Sequence, residues 1–449
     1  MKIGSLPSRQ AGNALLMTLA VAACVGIVLA ACLSMVNSQN MAVSRSQAWN
    51  SCMPVIEAGV EEAMAHLNNT KESSYNVNGW AQNGTTYTRS RPMSDGFFDV
   101  SISLSNILRP VIVCTGYYRA PALVARAPGP MMAAANINVG GVDYIRRAVQ
   151  VLAAKQGAFT KAMVAKQRIV MNGNDIVTDS FDSSDPNYST DGMYDPAKAR
   201  DNGDVATLSG INNAIGAGNA NIKGTVRTAP GGTVDVGANG VVGSLEWHAA
   251  GNTGIQPGWW FDDMNMSILD VEKPSVSGSL LPASGTVTGA VYKYLLNGGK
   301  FALSSLNVSS TERIAVTAPS TLIVDGDVDI RGAVDIMEGG SLQLYVGGST
   351  ATLGGSGVNN TGYASNFVYY GLPTNTKLTL PSNGDFTGVL YAPNADLSLS
   401  GGGSTIINFS GACVMKSIQV NGHYKFHFDE ALITHGPWLD YVIYGWTEL

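Results

Sequence analysis

The sequence has few charged residues, few cysteines and no cluster of basic residues. Only 13% of its 449 residues are charged, and the formal net charge is −6. Proteins that bind nucleic acid usually carry a basic patch or stripe, so this composition argues against a nucleic-acid partner. Five cysteines in a chain of this length do not make a disulfide scaffold of the kind that holds small secreted domains together.

Helix-forming patterns are also scarce in the second half of the chain. The sequence contains 52 glycines, and after residue 200 short runs of Val, Ile and Leu alternate with Gly, Asn, Ser and Thr. This mixture is typical of many short strands joined by tight turns. The fold class that we predict is therefore mainly β.

A long apolar run stands near the N-terminus. Residues 14–36 carry no charge, and a helix needs about 20 apolar residues to cross the hydrocarbon core of a bilayer. The preceding leader, residues 1–12, contains Lys2 and Arg9 but no acid, which favours a cytoplasmic N-terminus. We predict a transmembrane helix over residues 13–36 that continues as an amphipathic helix over residues 37–68.

Two other interpretations of this run stay open. The tetrapeptide Leu29–Cys32 fits a lipobox, so cleavage before Cys32 would give an acylated lipoprotein instead of a spanning helix. An uncleaved membrane anchor is the second alternative. A secretory signal peptide fits poorly, because its apolar core is shorter and is not followed by more helix.

The stretches RQAGNALLMTLAV and VIEAGVEEAMAHL resemble the N-terminal region of PilX-type minor pilins. The resemblance implies cleavage after Gly12 by a prepilin peptidase, with Asn13 as the new N-terminus. It also implies the membrane and other pilin or pseudopilin subunits as partners. Most major pilins carry Glu at the fifth mature position, where this chain has Met17. The resemblance is thus to a minor subunit and not to the repeating unit of a pilus.

Residues 69–172 are predicted to form a small α+β region. Its strand-like runs alternate with period two, as half-buried strands do, and we expect an antiparallel sheet against the second half of the first helix. Residues 157–167 suggest a short helix. Cys52 and Cys114 could be brought together there, either as a disulfide or as two buried free thiols.

An Asp-rich segment, residues 173–203, is interpreted as a linker. Acidic residues between Asp175 and Asp191 could hold calcium through their oxygen atoms, although their spacing is not that of an EF-hand. Asp also starts turns by binding its own backbone. Calcium is the only cofactor that we consider, and a set of structural turns is the alternative.

A repeat of about 22 residues runs through the last third of the chain. Aligned on itself, the sequence places Leu322 on Leu344 and Val324 on Val346, and residues 390–403 and 413–422 continue the pattern. Such a period indicates stacked coils that share one core. We predict a right-handed parallel β-helix over residues 204–435, interrupted by an insertion at about 246–312 and followed by a C-terminal cap or tail at 436–449.

This region carries a second resemblance. The runs TDSFDSSDPNY, LQLYVGG, FTGVLYAPNADLSLSGGG and HYKFHFDEAL resemble the C-terminal domain that is attached to PilX-type N-termini in environmental bacteria. The resemblance covers about residues 180–435. It implies the fold and the setting of this region more than an activity.

Several polar groups were weighed as catalytic or metal sites. Asp327 and Asp329 alternate with apolar residues and so share a strand face, as paired carboxylates of a glycan-active enzyme would. His423 and His427 offer imidazoles, but on a strand they would stand about 13 Å apart. For both pairs the structural interpretation is stronger, so we expect no metal site and no enzyme.

Exposed aromatic residues are better binding candidates. They are Trp259, Trp260 and Phe261, whose rings could contact surface glycans or a partner protein. The sequence as a whole predicts a minor pilin-like structural or adhesive subunit in the bacterial inner membrane. Its C-terminal domain would be periplasmic or extracellular, in a pilus or a related secretion filament. The alternatives are a membrane-tethered polysaccharide-active enzyme and a surface lipoprotein acylated at Cys32.

Overall fold

The computed structural model describes residues 10–70, 75–120, 136–173, 175–355, 357–360, 362–382, 384–401, 405–434 and 438–449. The chain divides into two compact units. The first comprises Met1–Lys155 and Asp440–Leu449, and the second comprises Gln156–Leu439. The molecule is mainly β, with one long N-terminal helix and a small antiparallel sheet.

The described residues contain a long and a short α-helix, α1 (Gln10–Asn69) and α2 (Leu245–Ala249). The strands are, in chain order, β1 (Ala81–Asn83), β2 (Thr86–Met93), β3 (Gly96–Ser103), β4 (Val111–Arg119), β5 (Asn136–Val139), β6 (Val142–Gly157), β7 (Met163–Ala165), β8 (Ile169–Met171), β9 (Val177–Phe181), β10 (Val205–Thr207), β11 (Ile215–Gly218), β12 (Asn221–Lys223), β13 (Val226–Arg227), β14 (Val234–Val236), β15 (Val241–Gly243), β16 (Gly254–Ile255), β17 (Trp260–Phe261), β18 (Ala283–Val287), β19 (Ala290–Leu303), β20 (Leu306–Val308), β21 (Arg313–Val324), β22 (Val328–Ile330), β23 (Ala333–Ile336), β24 (Ser341–Val346), β25 (Thr350–Leu353), β26 (Val358–Asn360), β27 (Phe367–Gly371), β28 (Lys377–Ser382), β29 (Phe386–Gly401), β30 (Ile407–Val420), β31 (Tyr424–Asp429) and β32 (Trp438–Glu448).

Helix α1 is a single continuous helix of 60 residues. Pro54 lies inside this helix, where a proline would be expected to kink or interrupt it, yet the helix continues without a break. A proline inside a helix costs about 3 kcal/mol, but the side chains on either side of it are held by the sheet. Cys52 and Ile56 are both fully buried, so tertiary packing outweighs the lost backbone hydrogen bond.

The first unit places the second half of α1 on an antiparallel sheet, as predicted. The strand order is β1-β2-β3-β4-β6-β32, with β5 also paired to β6. One helix stripe is buried in the core that it shares with β3 and β4; its members are Ile56, Val60, Ala63 and Leu67. Gly116 on β4 allows the close approach, since a Cβ there would lie 2.7 Å from Ile56 Cγ1.

The second unit is one sheet of 25 strands in the described chain, paired mostly in parallel. The predicted register is confirmed, because Leu322 pairs with Leu344 and Val324 with Val346. Three steps further along the stack, Leu390 pairs with Cys413. Side chains on the inner side form continuous files, among them the stacked rings of Phe386, Phe409 and Phe426, with centroids 4.6 and 4.1 Å apart.

The order of the strands in this stack differs from their order in the chain. Strands β7, β8 and β9 lie between β10–β12 on one side and β30–β31 on the other. In chain order, the strands therefore begin in the middle of the stack with β7 and extend in one direction to β17. The chain then crosses to the other side of β7–β9, and β18 to β31 return toward them. Residues 262–282, between β17 and β18, are the crossing segment. This segment contacts the returning strands, where Tyr391 donates a hydrogen bond to the carbonyl of Leu269 (2.8 Å).

Four sequence boundaries need correction. Residues 157–167, predicted as a helix, contain strand β7 instead, and the stack begins there rather than at residue 204. The predicted linker at 173–203 contains β9, a strand inside the stack. The predicted insertion at 246–312 is shorter, because β19 already pairs in parallel with β21. The C-terminal segment is not a cap on the last coil, since β32 belongs to the antiparallel sheet.

Candidate functional site

A buried polar cluster of the second unit lies where β9 pairs with β31, the last parallel strand of the stack along the chain. Strands β9 and β31 place Asp179 and His427 directly opposite each other. His427 Nδ1 lies 2.5 Å from Asp179 Oδ1, and both side chains are about 1% exposed. The two residues are 248 positions apart in the sequence.

Tyr194 covers the Asp179–His427 pair and contacts both of its members. Its ring stacks on the imidazole of His427 with centroids 3.5 Å apart, and its hydroxyl donates to Asp179 Oδ2 (2.8 Å). Lys223 Nζ lies 3.6 Å from the same carboxylate oxygen. Burial and the negative charge of Asp179 both raise the pKa of the Tyr194 hydroxyl, so this group is a hydrogen-bond donor and not a proton acceptor.

The other imidazole nitrogen is also engaged. His427 Nε2 lies 3.1 Å from Asn408 Oδ1, and the Asn408 side-chain amide donates to Asp385. Each ring nitrogen therefore faces an oxygen of a neighbouring strand. The ring is held in one orientation from three sides.

A second carboxylate extends the network. Glu430 accepts hydrogen bonds from Ser180 Oγ (2.7 Å), Arg200 Nη1 (2.8 Å) and Asn202 Nδ2 (2.9 Å). Its neighbour Asp429 accepts from the backbone amide of Ser183 (3.0 Å), and burial raises the pKa of this carboxyl group. The TDSFDSS run and the HFDEA run, which the sequence singled out separately, thus meet in one network.

This arrangement joins neighbouring strands through buried hydrogen bonds and an ion pair. The His–Asp pair is sealed by Tyr194, so a substrate has no access to it. His423, the other histidine of the motif, lies 3.6 Å from Asp175. Within the described residues no group of three His, Cys, Asp or Glu side chains is arranged to hold a metal ion.

The aspartates weighed as a catalytic pair each have their own partner. Asp327 accepts a hydrogen bond from the Thr350 amide (2.9 Å), and Asp329 is paired with Arg331 (3.0 Å). The side chains alternate with buried Val328 as predicted. The carboxylates are therefore engaged within the solvated side of the coil.

The Asp-rich loop is built from turns and buried bonds. Asp182 Oδ1 accepts from the Ser184 amide (2.9 Å) and Asp185 Oδ1 from the Asn187 amide (2.8 Å), which is the way Asp starts a turn. Asp179, in the same run, faces His427. Calcium at Asp175–Asp191 remains a prediction, and the part of this segment that the structure describes contains no group of three acidic side chains arranged to share an ion.

The predicted aromatic site lies at one end of the stack. Trp260 and Phe261 form β17, which pairs with β13. Trp260 is 42% exposed, whereas Trp259 and Phe261 are half-buried. The Arg227 guanidinium stands 4.2 Å from the centre of the Phe261 ring and is paired with Asp263 (2.8 Å). Trp260 therefore has the most exposed ring of the three.

The predicted processing and cysteine residues lie on or near α1. Gly12 and Asn13 fall within the backbone of this helix, and Cys32 is exposed on it. Cys52 and Cys114 are buried free thiols, so the structure holds the second of the two predicted arrangements. Burial raises the pKa of Cys52 to about 11 and that of Cys114 to about 12, which keeps both thiols protonated.

The first half of α1 is apolar and exposed along its length. Its large side chains are half to three-quarters exposed; examples are Leu15 (75%), Ile27 (70%) and Leu33 (68%). By length and composition this N-terminal helix can be a single membrane span or a signal sequence. The second half of the same helix is the part that packs on the sheet.

Comparisons with known proteins bear on the second unit. Residues 278–435 match a family model described as a domain of unknown function, DUF7305. The matched residues cover β18 to β31 and thus include His427, Asp429 and Glu430. No curated protein matches the sequence.

Two solved structures are similar at low identity. An ice-binding protein DUF3494 domain of Shewanella frigidimarina is 14% identical over 60% of this chain and 94% of its own, with a TM-score of 0.25. An ice-binding protein from an Antarctic Flavobacteriaceae bacterium is 13% identical over 60% of this chain, with the same TM-score. This chain spans about half (47%) of the second protein.

Proposed function

We propose that this chain is a minor pilin-like subunit of PilX type, with a structural or adhesive role and no catalytic one. The observation that carries the proposal is the two-part character of α1. Its first half is apolar and exposed, whereas its second half is buried against an antiparallel sheet. A helix with both properties can anchor a folded domain and also join other helices.

The exposed half needs an apolar environment. Each large aliphatic side chain left in water forgoes about 1.5–3 kcal/mol of burial free energy, and α1 carries many of them. A bilayer meets this need before assembly, and the helices of other pilin or pseudopilin subunits would meet it in a filament. We therefore place the protein in the bacterial inner membrane, with the N-terminus cytoplasmic and both folded units on the far side.

We also infer that the second unit is a right-handed parallel β-helix. The support is the parallel pairing of strands that lie 21–25 residues apart, such as Leu322 with Leu344 and Leu344 with Tyr369. Parallel crossover connections are nearly always right-handed. In the proposed setting this unit would be displayed at the surface, with Trp260 as an accessible contact for a glycan or a partner protein.

Processing by a prepilin peptidase tests the proposal. We would express the full chain with such a peptidase and measure the mass of the membrane-extracted protein. The wild type should begin at Asn13, whereas Gly12→Val should retain the leader. Gly26→Val is the matched control, because an added Cβ there meets nothing within 4 Å, and it should be processed like the wild type.

Each other outcome favours an alternative. An unchanged full-length mass in all three proteins would contradict pilin-type processing and favour an uncleaved anchor. Incorporation of labelled fatty acid that is lost in Cys32→Ser would identify a lipoprotein. Cleavage of a polysaccharide that is lost in Asp327→Asn would identify an enzyme.

A further inference from the structure

Three side chains of the second unit form a Lys–Asn–Asp cluster on the outer side of the stack. Lys166 follows β7, Asn394 lies in the middle of β29, and Asp270 belongs to the crossing segment. Lys166 Nζ lies 3.4 Å from Asn394 Oδ1, and Asn394 Nδ2 donates to Asp270 Oδ1 at 2.8 Å. The third side of the triangle, Lys166 Nζ to Asp270 Oδ1, measures 3.5 Å.

The chemistry of the partners fixes the orientation of the Asn394 amide. An ammonium group can only donate and an ionised carboxylate can only accept, so the carbonyl oxygen faces Lys166 and the NH₂ group faces Asp270. The amine therefore stands beside the carbonyl that it could attack. The group that would leave stands beside an acid–base side chain.

Apolar packing lies beside the cluster, whose Lys166 and Asp270 side chains are 30% and 58% exposed. Tyr391, three residues before Asn394, is 4% exposed, and its ring meets Phe159 edge-on with centroids 6.2 Å apart. The Tyr391 hydroxyl donates to Leu269, the neighbour of Asp270. These contacts fix β29 and the crossing segment relative to each other, so the reactive groups are held together rather than meeting by chance.

We propose that Lys166 and Asn394 form an intramolecular isopeptide bond, with Asp270 as the acid–base group. Asp270 takes one proton from the Lys166 ammonium, and the free amine attacks Asn394 Cγ. The attacking nitrogen passes its second proton to Nδ2, the C–Nδ2 bond breaks, and ammonia leaves. Ammonia then takes the proton from Asp270, so an ammonium side chain and a primary amide become a secondary amide and an ammonium ion.

Proximity is what makes this reaction feasible without another reagent. Amines attack amides very slowly in water, but well-oriented intramolecular reactions reach effective concentrations of about 10⁵–10⁸ M. No oxidant or cofactor is needed. The product would join β7 to β29 covalently, two strands that are far apart in the sequence but belong to the two runs of the same stack.

Peptide mapping by mass spectrometry tests the bond. We would digest the purified full-length protein with trypsin, which does not cleave after a modified lysine. A linked chain gives one branched peptide that joins residues 162–168 to residues 378–416, with a mass about 17 Da below the sum of its parts because one ammonia is lost. The Lys166→Arg and Asn394→Ala variants should lose this species completely, and Asp270→Asn should reduce its yield at least tenfold.

The control is another lysine on the same sheet. Lys416 is paired with Asp396 at 3.2 Å, and Lys416→Arg should leave the branched peptide unchanged while trypsin still cleaves there. Recovery of the unlinked peptides alone from the wild type would overturn the proposal, as would a branched peptide that persists in Lys166→Arg. The link requires no filament, so this result is independent of the outcome for Gly12.

Discussion

At the scale of single residues, the buried network around His427 shows how polar groups fix a joint between distant strands. A buried polar group left without a partner costs about 1–3 kcal/mol, and more when it is charged. Here Asp179, His427 and Glu430 are each engaged by two or three neighbours. The joint between β9 and β31 thus depends on polar bonds as well as on apolar packing.

Removal of the Tyr194 hydroxyl should weaken this joint. We expect Tyr194→Phe to lower the free energy of unfolding by about 1–3 kcal/mol, because Asp179 Oδ2 loses a hydrogen bond in a buried site. Tyr363→Phe is the matched control, since Tyr363 is 52% exposed, and it should change the free energy by less than about 0.5 kcal/mol. Urea denaturation of the two variants measures both values, and equal effects would contradict the role given to Tyr194.

The sequence pointed to the residues of this network but not to their contacts. The run HFDEA and the Asp-rich run were both visible as motifs, each with a separate interpretation. Nothing local indicates that Asp179 faces His427, because the contact depends on the order in which the strands stack. The register of two strands can be predicted only when they are known to be neighbours. Asp179 and His427 are 248 positions apart in the sequence, so nothing indicates that their strands pair.

At the scale of elements, the periodicity of the sequence predicted the features that depend on the spacing of apolar residues. The long helix, its buried stripe and the repeat register in β21, β24 and β30 follow from spacings of 3.6 and about 22 residues. The helix predicted over residues 157–167 is wrong for a related reason. Their apolar residues fit a helical spacing, but pairing of β7 on two sides, with β10 and β30, overrides local propensity.

His66 at the end of α1 is another residue whose tertiary contacts override what its local sequence indicates. A histidine in the last turn of a helix would be expected to be solvated, but this one is buried. The side chain is 6% exposed, its ring stacks on Trp80 with centroids 4.6 Å apart, and Nε2 lies 2.9 Å from the Tyr75 carbonyl oxygen. Burial lowers the pKa of His66 from its ordinary 6.5, although the bond to Tyr75 partly opposes this.

This burial predicts a pH dependence for the first unit. As the pH falls below about 6.5, the unfolded chain takes up a proton at His66 more readily than the folded chain does, so the free energy of unfolding falls as the pH drops. The melting temperature of the wild type should therefore fall between about pH 7.5 and 5.5, and that of His66→Gln should fall less. Since burial also lowers the pKa of His248, the comparison is repeated in a His248→Gln background, where the difference should persist. Equal slopes with and without His66 would contradict the assignment.

At the scale of the whole molecule, the path of the chain through the stack was beyond sequence analysis. The repeat predicts that coils stack, but it does not say which coil follows which. The chain enters between its own later strands, so β30 pairs with β29 on one side and with β7 and β8 on the other. The C-terminal coils are thus internal to the sheet and not at its end.

This topology predicts an unusual response to truncation. In most stacked-repeat proteins, removal of the last repeat exposes one interface and costs little beyond it. A chain that ends at residue 404 would lack β30 and β31, leaving both β29 and β7–β9 with an open edge and removing the buried rings of Phe409 and Phe426. We expect this variant to lose the cooperative unfolding transition of the second unit, as measured by circular dichroism and limited proteolysis. A chain that ends at residue 435 lacks only β32 and should keep that transition within a few degrees, because β32 belongs to the antiparallel sheet. If the chain that ends at residue 404 instead melted at nearly the same temperature as the chain that ends at residue 435, the result would contradict the stabilising role given to β30 and β31.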